Sequence, residues 1–151
     1  MIARAVPKTG PRRSRLLYVE EHAENVALVE ALLAGRKDLL LLHAADANLG
    51  TKLARSRRPE AILIGIDVDL AGMSALEFMK VLRADPATET TPVLALAADT
   101  APGAIVKALE VGFFQVIAKP LQAAPFMEAL AFALEFTAVE RAEQNTFKES
   151  R

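Results

Sequence analysis

From residue 15 onward, short apolar runs alternate with segments whose apolar residues recur at helical spacing. Leu16 to Val19 is apolar and stops at Glu20-Glu21, the pattern of a buried strand ending at a polar edge. Ala23 to about Ala34 places Val26, Val29, Leu32 and Leu33 on one helical face, and Gly35 follows as a stop, since glycine enters the left-handed region without steric cost. Leu39 to Leu42 is a second strand, and a helical segment over Ala47–Arg57 ends before Pro59. Ala61 to Ile66 is a third strand, stopped by Asp67, Val68 and Asp69. Ala75 to Arg83 is helical through Leu76, Met79 and Leu82. Val93 to Ala97, opened by Pro92, is a fourth strand. Ile105 to Val111 is a helix ending at Gly112, Phe113 to Ala118 a fifth strand closed by Lys119-Pro120, and a long helix from Ala123 runs past Glu140.

Five short apolar strands alternating with five helices predict an α/β fold, a parallel sheet covered on both faces and so doubly wound. Residues 1–13 hold two prolines, scattered positive charge and no periodicity, and are expected to be a mobile basic tail. Residues 14–137 form one domain, and 138–151 the end of the last helix with a C-terminal tail. No internal repeat or linker divides the chain.

Composition narrows the function. At 151 residues with 52% hydrophobic positions and a net charge of −1, the chain suits one compact domain. The near-neutral balance argues against nucleic acid as the main partner. Without cysteine, disulfides, thiolate metal sites and cysteine nucleophiles are excluded, and two histidines, His22 and His43, are too few for a histidine-rich metal site. The most apolar stretch, Phe126 to Val139, is short and carries Glu128 and Glu135, so no membrane span is expected. No apolar signal-peptide core follows the basic N-terminus, and the default location is the cytoplasm.

In such a sheet, ligands sit beyond the carboxyl ends of the strands. Glu20-Glu21, Asp67 with Asp69, and Lys119 all fall there. Clustered carboxylates repel one another and call for a cation, and oxygen-only ligands favour Mg²⁺. A lysine opposite them suits an anion such as a phosphoryl group. The plainer alternative, a solvated acidic edge, stands for any one of these positions; their joint placement favours a site.

These segments resemble the response-regulator receiver family, of the chemotaxis-regulator kind. Tyr18-Val19-Glu20-Glu21-His22 is similar to its first-strand acidic motif, and Asp67-Val68-Asp69-Leu70-Ala71-Gly72-Met73 to its phosphoacceptor segment. Leu82-Arg83-Ala84-Asp85-Pro86, Pro92-Val93-Leu94-Ala95-Leu96, Gly112-Phe113 and Ala118-Lys119-Pro120-Leu121 resemble its later blocks, so the likeness covers roughly residues 14 to 135. It implies a five-stranded parallel sheet in flavodoxin-like order. It also implies that Asp67 accepts a phosphoryl group from a sensor histidine kinase or phosphotransfer protein. Glu20, Glu21, Asp67 and the backbone carbonyl of Asp69 would hold Mg²⁺, Lys119 would contact the phosphoryl oxygens, and the Lys119-Pro120 peptide would be cis.

The sequence departs from the family pattern at four places. Glu21 stands where the family has an aspartate, and Ala71 replaces a loop proline. Ala97 replaces the hydroxyl residue that would bond the phosphoryl group, and Val116 replaces the aromatic switch residue. Counting back from Gly72-Met73 or from Lys119 selects Asp67 as acceptor. Counting forward from Pro59 selects Gly65, which has no side chain, and Asp69 is the other candidate.

Two readings therefore compete: a phosphorelay receiver signalling through contacts with an unknown downstream protein, and a pseudo-receiver, a phosphorylation-independent interaction module. A small phosphatase or nucleotide enzyme is disfavoured, since neither a glycine-rich phosphate loop nor a serine nucleophile elbow is present. His22 is expected to be a solvated loop residue, His43 structural, and Phe113 and Phe114 core packing. Phe126, Leu130, Phe132 and Leu134 exceed one buried stripe. The excess either extends the core contact or forms a partner surface, such as a homodimer contact through the last helix. No effector domain is legible after that helix.

Overall fold

The computed structural model describes residues 13–67 and 72–149; the tail expected over 1–13 falls almost wholly outside them. The elements run β1 (Ser14–Val19), α1 (Ala23–Leu33), β2 (Leu39–Ala44), α2 (Ala47–Arg57), β3 (Ala61–Gly65), α3 (Ala75–Arg83), β4 (Val93–Ala97), α4 (Pro102–Val111), β5 (Gln115–Ala118) and α5 (Ala123–Glu149). All strand pairs are parallel, in the order β2-β1-β3-β4-β5. This is the doubly wound, flavodoxin-like order the sequence implied.

The pleat decides which helix covers which face. Successive strand residues point to opposite sides. Leu17, Val19, Ile62, Ile64, Val93 and Ala95 therefore meet Ala54 of α2, Phe78, Met79 and Leu82 of α3 and Ala108 of α4. Leu16, Tyr18, Leu63, Leu94, Leu96 and Ile117 meet Val26 and Val29 of α1 and Phe126, Leu130 and Ala133 of α5. Residues apolar on both faces read as continuous runs, which is why β3 and β4 are buried along their whole length. Each fully buried Leu, Ile or Phe side chain contributes about 1.5–3 kcal/mol.

Several ends differ from the sequence reading. Helix α4 begins at Pro102, not Ile105, because proline at the first turn lacks only a donor that the helix leaves free. The fifth strand starts at Gln115; Phe113 instead donates its N–H back to Ala108 O, and Gly112 turns the chain with φ 116°. At the end of α2, Arg58 takes the left-handed conformation (φ 47°) before Pro59, capping the helix through its N–H to Ala54 O.

Helix α5 spans 27 residues, about 40 Å at 1.5 Å per residue, and packs against β3, β4 and β5. Its far part is tied to the amino end of β3. Thr137 Oγ1 donates to Glu60 O at 2.6 Å, and Arg141 donates to the Glu60 carboxylate and to Arg58 O. Glu60 also accepts from the Arg15 N–H at 2.6 Å, joining β1 to the same cluster.

The acidic end of β1 is braced by α2. A Cβ on Gly50 would lie 2.9 Å from Val19 Cγ2 and 3.3 Å from Phe78 Cε1, so only glycine permits this approach. Gly50→Val is expected to lower unfolding free energy by about 1–3 kcal/mol through overpacking. Urea denaturation monitored by circular dichroism checks this; an unchanged midpoint would contradict the packing described.

Candidate functional site

Parallel pairing levels the carboxyl ends of the central strands. Val19 is in register with Ile64, Gly65 with Leu96, and Ala97 with Ala118. The residues that follow, Glu20, Ile66-Asp67, Ala98 and Lys119, therefore sit along one edge. Asp67 lies two residues past β3. The Ala98 N–H donates to Asp67 Oδ2 at 2.8 Å, and Lys119 Nζ lies 3.3 Å from the same oxygen. The Lys119 N–H donates to Ala97 O at 2.9 Å, holding the lysine beside β4, and the Lys119-Pro120 peptide is cis. Thus β3, β4 and β5 each contribute one group to a single clamp. Among the described residues no hydrogen bond reaches Asp67 Oδ1.

Asp67 and Lys119 are each about one-third exposed, 31% and 36%. A pair that wet contributes roughly 0–1 kcal/mol to stability. The geometry thus fits a binding role better than a structural one, with an ammonium poised over an open carboxylate.

The glutamates stand apart from this clamp. Tyr18 Oη donates to Glu20 Oε1 at 3.1 Å, and the His22 N–H donates to Glu20 Oε2 at 2.9 Å. Glu21 is half-exposed, its carboxylate 3.7 Å from His22 Nε2. His43 Nε2 donates to Glu20 O at 2.7 Å, so this histidine ties β2 to the end of β1, a structural use. The donor chemistry of Glu20, Glu21 and Asp67 is carboxylate oxygen throughout, which fits a hard divalent cation such as Mg²⁺. Among the described residues, however, no three acidic or histidine side chains are gathered closely enough to hold an ion. Asp69, expected to add a backbone carbonyl, lies outside the described residues, as does Ala71.

Ala97 is 1% exposed at the end of β4 and offers no hydroxyl, and Val116 is half-buried against the core on the α2–α4 face. Phe113 is buried, as expected of a packing residue. Phe114 stacks obliquely on Phe136 (centroids 5.4 Å apart) and lines an apolar groove of about 360 Å³ with Phe132 and Val139. The surplus apolar residues of α5 thus form a second, solvent-facing stripe. No described helix is long and apolar enough to cross a membrane.

Two participants were missed by reading side chains along the sequence. Ala98 acts through its backbone N–H, which leaves no mark on residue identity. Tyr18 stands within the acidic motif without charge of its own, and its two-residue spacing from Glu20 sends both side chains to one side of the sheet.

A doubly wound parallel sheet with a carboxylate and a lysine clamped at its carboxyl edge defines a receiver-type α/β module. The chain belongs to the response regulator receiver domain family, whose model matches residues 16–131. It is 32% identical over 124 residues to the sensory/regulatory protein RpfC of Xanthomonas campestris, covering 80% of this chain but only 16% of that protein. It is 27% identical over 120 residues to the chemotaxis protein CheY-3 of Vibrio cholerae, covering 79% of this chain and 90% of that one. In fold it is similar to a response regulator from Desulfuromonas acetoxidans (TM-score 0.71, 21% identity, 81% of this chain and 97% of that one). The receiver domain of a sensor histidine kinase from Pseudomonas aeruginosa, solved with a magnesium ion in its active site cleft, is similar too. Its TM-score is 0.67 at 23% identity, covering 83% of this chain and 98% of that one.

Tyr18 is the chain's single tyrosine. Burial first, then the Glu20 charge and hydrogen bond, push its phenol well above the ordinary value of 10.0. A raised native value means stabilisation that is complete below about pH 10 and is lost as pH climbs through the native value. Phenolate absorbance is therefore expected to lag behind that of free tyrosine in an alkaline titration and to rise together with unfolding. Ionisation at the free-tyrosine value in a folded chain would contradict the buried, hydrogen-bonded phenol.

Proposed function

We propose that this chain is a phosphorelay receiver in which Asp67 is the phosphoacceptor. The observation that carries this reading is the asymmetric clamp on Asp67: Oδ2 is held by the Ala98 N–H and Lys119, while Oδ1 is free of described donors. The Oδ1 of the ionised carboxylate attacks phosphorus, an acyl-phosphate bond forms, and the P–N bond to a phosphohistidine donor breaks, the departing imidazole nitrogen taking its proton from solvent. With acetyl phosphate the P–O bond breaks and acetate leaves. Such transfers proceed in line through a loose transition state, so the protein's work is positioning and charge stabilisation. Lys119 faces the phosphoryl oxygens as a point charge, and the Ala98 N–H donates to the same centre.

Glu20, Glu21 and Asp67 would hold Mg²⁺, with the Asp69 backbone carbonyl as a further ligand. When bound, the ion neutralises charge shared by the acceptor and the phosphoryl group. The donor would be a sensor histidine kinase or phosphotransfer protein, the output a contact with a second protein, and the compartment the cytoplasm. The apolar stripe on α5 is the candidate surface for that contact or for a homodimer.

A second reading has a specific observation in its favour. Ala97 and Val116 offer neither the hydroxyl nor the aromatic ring that would carry phosphorylation outward. A hydrogen bond from such a hydroxyl to the charged group is worth about 1.5–3 kcal/mol. Without it, the same fold serves as a phosphorylation-independent interaction module.

Intact-mass measurement after incubation with acetyl phosphate and Mg²⁺ separates the two. One phosphoryl group is expected on the native chain and none on Asp67→Asn. Lys119→Met is expected to slow uptake at least about tenfold while altering stability by less than ~1 kcal/mol, since the pair is exposed. No mass gain, or an equal gain in Asp67→Asn, would overturn the phosphoacceptor assignment.

A further inference from the structure

The position of Glu20 raises a question that the clamp on Asp67 does not answer. Tyr18 and Glu20 are two residues apart, so both project to the α1–α5 side of β1. The Glu20 carboxylate folds back along its own strand onto the Tyr18 hydroxyl, 3.1 Å away. It lines a recess of about 220 Å³ with Tyr18, Asn25, Leu28, Leu96 and Lys119, and Asp67 is not part of that lining. Tyr18 itself is buried among Leu16, Val29, Leu96 and Ile117, with 3% exposure.

If Glu20 swings toward Asp67, the phenol loses its carboxylate partner while its ring stays buried. A buried hydroxyl stripped of its charged acceptor carries a desolvation cost that a phenylalanine ring in the same place would not. The hydrogen bond and the cation therefore compete for one carboxylate.

We infer that Tyr18 is a positioning residue that latches Glu20 away from the divalent-cation site and thereby weakens Mg²⁺ binding at the acidic edge. This inference rests on the assignment of Glu20 and Asp67 as ligands. Its consequence is a site that loads only when Mg²⁺ is abundant enough to break the latch. Lys119 lines the same recess and also reaches Asp67, so it borders both positions of the glutamate.

Mg²⁺ titration calorimetry on the full chain, without phosphodonor, tests the latch in the native protein, Tyr18→Phe, Asp67→Asn, Glu20→Gln and the double variant Tyr18→Phe/Glu20→Gln. Tyr18→Phe keeps the ring and removes only the hydroxyl, and is expected to bind Mg²⁺ about tenfold more tightly, the scale of one charged hydrogen bond. That gain should vanish in the double variant, which should bind no more tightly than Glu20→Gln alone. A second readout comes from the native chain, whose only tyrosine is Tyr18 and which has no tryptophan. Emission from a phenol bonded to carboxylate is quenched, so it should rise with the same midpoint as the calorimetric isotherm. Equal or weaker binding by Tyr18→Phe, or emission that stays flat through saturation, overturns the latch. So does an absence of binding in both the native chain and Tyr18→Phe. Native-strength binding in Asp67→Asn would instead sink the cation-site assignment itself, an outcome distinct from equal binding in the native and phenylalanine chains.

Discussion

One carboxylate oxygen gathers the ends of three strands. Asp67 Oδ2 takes the Ala98 N–H from the end of β4 and faces Lys119 from the end of β5, while its own backbone continues β3. This is possible only because parallel pairing brings those ends level, and parallel pairing in turn requires helices over both faces. The two apolar layers, the glycine contact between α2 and β1, and the packing of α5 on β3, β4 and β5 all serve to keep that edge in register. Glu60, held by Arg15, Thr137 and Arg141, pins the opposite edge of the sheet. The frame is thus fixed at both ends, and the open carboxylate sits on a rigid support.

If Asp67 is the acceptor, as proposed, chemical capture and outward signalling separate in this molecule. On the proposed reading, capture uses a backbone amide, a lysine and a carboxylate, and the fold brings these three groups together at one edge. Outward signalling in the family pattern depends on side chains at the positions of Ala97 and Val116, where one residue is a methyl and the other aliphatic. A backbone N–H such as that of Ala98 grips whatever occupies the Asp67 position but cannot be tuned by substitution. On the proposed reading, a consequence of charging Asp67 would travel through the loops that the clamp touches, or through the acidic residues beside it, and not through a hydroxyl and an aromatic ring.

Much of this was legible in the sequence, for identifiable reasons. Continuous apolar runs ending in charge marked β1, β3 and β4, because a strand buried on both faces has no polar alternation to obscure it. Gly35 and Gly112 marked helix ends through conformational freedom that other residues lack. The placing of Asp67 and Lys119 together was legible because both follow strands whose carboxyl ends parallel pairing brings level. The entry of α4 lies ahead of its apolar periodicity, because Pro102 suits the first turn while giving no apolar signal. The acidic edge was harder to foresee: spacing placed Glu20, Glu21 and Asp67 along one border but could not say which way each carboxylate turns. That direction is decided by Tyr18 and the His22 N–H, which hold one oxygen each of the Glu20 carboxylate, a matter of rotamer and not of residue type.

The Ala98 amide offers the most direct view of the clamp, because its N–H donates to the oxygen beside the proposed acceptor atom. Its ¹⁵N–¹H resonance can be followed as Mg²⁺ and beryllofluoride, a phosphoryl mimic, are added to the native chain and to Asp67→Asn. A large, saturable shift of Ala98 in the native chain, absent in Asp67→Asn, is the expected result. A stationary Ala98 resonance, or the same shift in both chains, would contradict Asp67 as the acceptor.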